Sequence, residues 1–360
     1  MTLIRSFSTT TCSLVVSMGL AQLGGQSSFA VLDIPSSARV AALGGNNIAV
    51  QDADVNLGFY NPALLNKEME RQFALSYLRW FNKADINIGY FGYAHHFDSL
   101  KTTVSGNFQF VDYGKFRRTD DTGADLGEFG AGEYAVQIGA ARPIDSLFTV
   151  GVNAKVLLSQ LEEYTSTAVA LDVGGLYHKP GGLFTLAAML RNIGYQTSTF
   201  TDEREDLPFQ VQIGTTYKFR HAPFRLGLML ENLQKWDLTY DDPNARVNID
   251  PTTGEVIEEK VTFMDKALLH VVGNVEVMLG KNFHLRFGYN YRRRQELKVE
   301  DKPGLAGISF GAGIRVAKIH VSYGYAQYNL AGASNSFTVA VRLNDFRRQP
   351  VAMPTVVPAG

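Results

Sequence analysis

Gly307-Ile308-Ser309-Phe310-Gly311 has the Gly-x-Ser-x-Gly spacing that presents a nucleophilic serine on a sharp strand-to-helix turn. Here the alternation of apolar with small or polar residues runs on unbroken to Val316, so no turn falls at the serine. Ser309 is therefore expected inside a strand, on its polar face. Asp52, Asp54 and Asn56 open like a calcium loop, but the sixth position is Leu57 rather than glycine and the twelfth is Ala63 rather than glutamate. A polar turn is the expectation there. His95 and His96 are adjacent in a strand pattern, so their side chains point to opposite faces and cannot share an ion. Ala42-Leu43-Gly44-Gly45 lacks the lysine of a phosphate-cradling loop. Glu231 and Glu276 could in principle make an acid/base pair, although charges at such positions are ordinarily solvated. The single cysteine, Cys12, lies in the first twenty residues, which removes thiolate chemistry from the remainder. The residue types thus point to a protein that is not an enzyme, with no catalytic, cofactor-binding or metal-binding residues.

The elements that hold these residues follow one pattern. Phe283-His284-Leu285-Arg286-Phe287-Gly288-Tyr289-Asn290-Tyr291 places a large apolar side chain at every second position. Strand side chains alternate between faces, so the segment has one apolar and one polar side. Similar stretches recur near 73–80, 86–96, 102–113, 132–142, 148–159, 168–179, 183–193, 208–219, 223–234, 267–279, 282–294, 306–317, 319–328 and 335–343. That is about fourteen strands, with lengths near the roughly 9–11 residues that a tilted strand needs to cross a bilayer. The polar positions carry Arg225, Glu231, Glu276, Arg286 and Arg342, which a dry soluble core would bury at high cost.

Connections sort by parity. Those after odd strands include long polar stretches at 114–131, 194–207, 235–266 and 295–305, whereas those after even strands are tight, as at Asp98-Ser99, Pro180-Gly181-Gly182 and Gly280-Lys281. Short turns at one rim and long loops at the other are the pattern of a bacterial outer-membrane barrel. The predicted architecture is all-β, an antiparallel transmembrane barrel of about fourteen strands over residues 73–343. Residues 1–21 read as a signal peptide, with Arg5 before a short apolar stretch and Gly19-Leu20-Ala21 as the cleavage site. Residues 344–360, with three prolines, read as a flexible tail. A net charge of -1 without a basic stripe excludes a nucleic-acid partner. The largest outer loop carries Trp236, Tyr240, Asp241, Asp242, Glu255 and Glu258, and its length makes it the candidate partner-binding loop.

Residues 22–72 break the alternation and read as a plug or hatch. Ser36 to Gly45 has a serine cap, a short helix and a glycine stop. Asn61-Pro62-Ala63-Leu64-Leu65 opens a second helical turn with proline at its first position. The run Leu32 to Gly45, with Arg39, Leu43, Gly44 and Gly45, followed by Asp52, Asp54 and Asn56 and then by Asn61, Pro62 and Ala63, resembles the N-terminal signature of the PorQ family, outer-membrane components of the type IX secretion system of Bacteroidetes. The broader pattern is similar to PorV and, more loosely, to FadL-like long-chain fatty-acid transporters. The resemblance implies a FadL-like fourteen-strand barrel with an N-terminal plug. It also implies an attachment complex with PorU, PorV and PorZ, in which the barrel anchors PorZ at the cell surface. The alternatives are a FadL-like transporter of hydrophobic molecules and a PorV-like cargo shuttle. A transporter is expected to have an apolar pocket in the upper lumen, whereas the polar positions quoted above favour an anchor.

Overall fold

The computed structural model describes residues 29–346, apart from 81–85, 180, 202, 240–260, 298–303 and 330–331. The expected signal peptide, most of the candidate loop and the end of the tail lie outside the described residues. Fourteen strands form one closed antiparallel barrel in which each strand pairs with its sequence neighbours and the first pairs with the last. They are β1 (Gln72–Arg79), β2 (Asn87–Phe97), β3 (Thr102–Thr119), β4 (Asp125–Pro143), β5 (Phe148–Leu161), β6 (Tyr164–His178) and β7 (Phe184–Ser198). The wall continues with β8 (Gln210–Lys218), β9 (Phe224–Leu230), β10 (Val271–Leu279), β11 (Phe283–Asn290), β12 (Ile308–Val316), β13 (Ile319–Asn329) and β14 (Gly332–Arg342). Closure runs through Phe73 opposite Val341 and Leu75 opposite Val339. It leaves no unpaired edge, the condition for placing a sheet in hydrocarbon.

The predicted facing holds along the wall. Leu75, Ile138, Val156, Leu171, Ile213, Leu228, Phe287 and Val339 lie outward and exposed, with Ile138 at 63%. The alternate positions point inward, and Gln109, Gln137, Asn153, Gln212 and Arg286 are buried. Tyr134, Tyr217, Phe219, Phe224 and Phe283 add aromatic side chains to the outer surface.

Three differences from the sequence reading have local causes. The connection at 114–131 is largely not a loop, because β3 and β4 continue upward as a hairpin. Its pairs Lys115–Gly130, Phe116–Phe129 and Arg117–Glu128 are closed by the Asp120 side chain, which accepts from the Thr122 and Ala124 amides. The polar residues that mark this stretch as a loop are a ladder standing in water. Strands β10 and β11 are shorter than their alternation suggests, since the adjoining residues form two short helices, α3 (Phe263–Leu268) and α4 (Tyr291–Glu296). Asn290 caps α4 by accepting from the Arg293 amide. The start of the predicted flexible tail is held at the short-turn rim, where Leu343–Phe346 forms a 3-10 turn, Asp345 pairs with Arg315 at 3.0 Å and Lys318 lies over the Phe346 ring.

The sequence leaves open whether the plug lies inside; it does. Ala30–Asp33 is a 3-10 turn, α1 is Ala38–Ala42, α2 is Leu57–Tyr60, and Pro62–Leu64 is a second 3-10 turn. Most residues from Phe29 to Leu65 are buried, the main break being Gln51 to Asp54. α1 packs on β11–β14 and the Pro62–Leu64 turn on β4–β6, so the plug bridges opposite walls.

The outward face sets the first prediction. Ile138→Arg is expected to cost about 2–4 kcal/mol of insertion stability, and Phe116→Arg on the projecting hairpin less than about 1 kcal/mol. Reversible folding of the two variants into lipid bilayers measures the difference.

Candidate functional site

The plug contacts its wall chiefly through residues of the sequence motif. Ser37 caps α1 by accepting from the Val40 amide, and Gly45 closes the helix with its amide on the Val40 carbonyl. Gly44 and Gly45 have positive φ of 97° and 93°, a conformation in which any Cβ is strained. A Cβ on Gly44 would also stand 2.5 Å from Val272 Cγ1. At the other end of the motif, Asn61 accepts from the Ala63 amide and donates to the Ile48 carbonyl, with Pro62 opening the turn. The wall answers with glycines. A Cβ on Gly151 of β5 would meet the Ala63 nitrogen at 2.5 Å, and one on Gly311 of β12 would meet Ala42 Cβ at 2.7 Å. Inward glycines therefore let two backbones approach to contact distance.

Arg39, on α1, joins the plug to the barrel electrostatically. Register sets Arg225 of β9, Glu276 of β10 and Arg286 of β11 side by side, with Glu276 opposite both arginines. Glu276 Oε1 accepts from Arg39 Nε at 3.1 Å and Arg286 Nε at 3.0 Å; its Oε2 accepts from Arg39 Nη2 at 2.9 Å and Arg225 Nη1 at 2.8 Å. Arg225 also forks onto both oxygens of Asp52, at 2.7 and 2.9 Å. Arg39 reaches Asp52 Oδ2 at 2.5 Å and Asp54 Oδ2 at 3.2 Å. Three guanidinium groups thus meet three carboxylates, and the cluster is neutral. Glu276 and Arg286 are each 1% exposed. The lumen charges at this level are paired rather than solvated.

A second buried pair, Lys155 on β5 with Asp172 on β6 at 2.7 Å, is absent from the sequence reading. Lys155 also donates to Asn192 Oδ1, and Asn153 donates both to Asp172 and to the Gly58 carbonyl of α2. Opposite charges on inward positions of neighbouring strands were the available signal.

The singled-out residues have these places. Asp52 and Asp54 belong to the charge cluster, and Asn56 hydrogen-bonds to Asp54. Among the described residues no three His, Asp or Glu side chains converge as metal ligands. Ser309 lies within β12, its Oγ donating to the Ala42 carbonyl and accepting from the Gly44 amide, both at 3.0 Å. It secures the plug in a strand without an elbow. Glu231 is buried and accepts from the Asn46 side chain at 2.7 Å, away from Glu276. His95 contacts Glu70 while His96 contacts Thr103.

The upper lumen is more apolar than β8–β14 suggest. Leu78, Ile88, Val111, Leu157 and Leu207 form an apolar chamber, and Phe29, Val31, Leu32 and Ile34 of the chain itself fill it. The Val31 amide donates to Glu133 and Arg191 donates to the Leu32 carbonyl, fixing the segment there.

Of the candidate partner loop, Trp236 is described, whereas Tyr240, Asp241, Asp242, Glu255 and Glu258 lie outside the described residues. Trp236 stacks on His270, centroids 5.4 Å apart, and on Phe263 of α3, 5.1 Å apart. Thr262 and Asp265 form a reciprocal capping box that starts α3, and Lys266 bonds Asp237. Phe263 is 71% exposed beside it, leaving an apolar ledge at the foot of the loop.

The sequence matches no protein-family model and no curated protein. Among solved structures the fold is similar to the P. putida toluene transporter TodX, with TM-score 0.51 and 10% identity over 88% of this chain and 100% of that one. A Pseudomonas aeruginosa FadL homologue is also similar, with TM-score 0.47 and 10% identity over 85% and 98% of the two chains. At such identity the likeness concerns architecture alone. A closed fourteen-strand barrel with an apolar outer belt and sorted connections is a bacterial outer-membrane protein.

Glu276→Gln is expected to destabilise the plug by about 3–5 kcal/mol, because it strands buried guanidinium charge. Faster hydrogen exchange across residues 38–64 with the barrel retained is the readout. The Lys266 ammonium and the Thr239 hydroxyl and amide hold the Asp237 carboxyl down to about 2 from 3.8. A depressed carboxylate stabilises the ledge above its unfolded value and loses that contribution as pH falls through the folded one. In a Trp80→Phe background, Trp236 fluorescence should show a transition between about pH 4 and 2. Asp237→Asn should abolish the transition.

Proposed function

We propose that this chain is a sealed outer-membrane anchor of the PorQ kind, holding a PorZ-like protein at the cell surface for type IX cargo processing by PorU and attachment with PorV. The observation that carries the reading is the fixed plug. A neutral cluster of six charges, the Ser309 hydroxyl and inward glycines such as Gly151 and Gly311 seat it against opposite sides of the lumen. A barrel closed this way does its work on what it presents outside: the β3–β4 hairpin, the Trp236–Phe263 ledge and the loop above it. The motif from Arg39 to Gly45 and from Asn61 to Ala63 supports the assignment, since its side chains and glycines are the ones that seat the plug.

A second reading rests on a specific observation. The apolar chamber around Phe29 to Ile34 suits a hydrophobic ligand, and the fold is similar to a toluene transporter. Transport would require that segment to leave the chamber and the charge cluster to part.

Affinity purification of the tagged chain from native membranes separates the two. The anchor reading expects a co-purifying surface protein, lost when roughly Asp241–Glu259 is deleted while the barrel keeps its heat-modifiable mobility. Recovery of bound fatty acid and no protein would overturn it in favour of transport.

A further inference from the structure

The short-turn rim, which the loop asymmetry assigns to the periplasm, encloses a cavity of about 600 Å³. Nine Lys and Arg side chains line it against three aspartates. Its floor is the neutral cluster of Arg39, Arg225 and Arg286 with Asp52, Asp54 and Glu276, so the charge there is spent. Six further cations stand around the walls and mouth. Arg315 pairs with Asp345 and Lys318 covers the Phe346 ring. Lys218, Arg220, Lys281 and Arg342 have no carboxylate partner among the described residues, and Arg342 Nε is buried without a hydrogen bond.

These cations come from separate parts of the wall. Lys218 ends β8, Arg220 and Lys281 sit in the tight turns after β8 and β10, and Arg342 ends β14. Lys218 and Arg342 share the parity of the buried residues Gln212, Thr216, Thr338 and Ala340. They therefore point into the lumen and not toward the headgroups surrounding the barrel. Convergence of like charges without carboxylate partners on a concave surface concentrates anions there. Volumes of about 300–1,000 Å³ are typical of small-ligand sites. Guanidinium and ammonium donors approaching from several directions match a group with many equivalent acceptor oxygens.

We propose that this vestibule binds a compact, multiply charged phosphoryl group, a di- or polyphosphate, entering from the periplasm. The floor is closed by the plug, so the ligand is held and not passed through. The site is independent of whether the barrel anchors a partner or transports a lipid.

Calorimetric titration of the full chain in neutral-lipid nanodiscs with inorganic pyrophosphate and with tripolyphosphate tests this. Saturable binding is expected, tighter for tripolyphosphate, and weakened about tenfold or more in Lys218→Gln/Arg342→Gln. Arg117→Gln, on the outer hairpin, should leave it unchanged. Lys281→Gln, in an exposed turn, gives a smaller loss in the same direction and serves if the double variant does not fold. Repeating the titration in nanodiscs containing phosphatidylglycerol distinguishes sources: competition assigns the site to a lipid phosphate, and none to a soluble one. Absence of saturable binding, or equal affinity in the folded variants, would overturn the proposal. Tighter binding of a hexaglutamate peptide than of tripolyphosphate would overturn it too, by assigning the vestibule to an acidic segment of a protein.

Discussion

A sheet that closes on itself acquires an inside, and everything distinctive in this molecule follows from what fills that inside. Backbone groups cannot go unpaired in hydrocarbon, so the fourteen strands must join β1 to β14. Closure then divides each strand's residues into a lipid set and a lumen set. The lumen of so wide a barrel is too large for wall side chains alone, and the chain fills it with its own N-terminal segment. Inward glycines such as Gly151 and Gly311 are spaces left for that segment.

The filling imposes an electrostatic condition. Arg225, Glu276 and Arg286 stand in one row of the wall with an excess of positive charge, and burial makes that excess costly. Arg39, Asp52 and Asp54 arrive from the plug and bring the row to neutrality. Neither wall nor plug is balanced alone, which makes the seated arrangement the favourable one. The row also separates two environments: an apolar chamber above, occupied by Phe29 to Ile34, and a cationic vestibule below.

Much of this architecture is legible in the sequence because a period of two survives in every strand, and because loop length sorts by parity. Each of the fourteen strands overlaps a segment marked by the alternation, although β3 and β4 run longer and β9, β10 and β11 stop shorter. The place of Ser309 within a strand was readable from the unbroken alternation around it, and the Asp52–Asn56 run was readable as short of a calcium loop from its missing ligands. What could not be read is pairing across the lumen. Nothing local links Arg39 to Glu276, since that contact depends on the path of the plug, whereas Lys155 and Asp172 sit diagonally on the β5–β6 hairpin and needed only its register. The ladder at 114–131 was hidden for a different reason, because a strand that leaves the membrane loses the apolar half of its alternation. The apolar chamber escaped because its residues are divided singly among several strands and the plug, so no one segment displays it.

Phe29 lies near the outer end of the lumen, whereas β1 begins at the opposite rim, so the plug runs most of the barrel's length before the wall starts. That path bears on biogenesis. A chain threaded this way after closure would have to carry the apolar run from Phe29 to Ile34 past the charged row of Arg225, Glu276 and Arg286. Enclosing the segment before the β1–β14 seam zips together avoids the passage. On that order the plug is a mandrel for the wall, and the β1–β14 seam is the natural place for the wall to close around it.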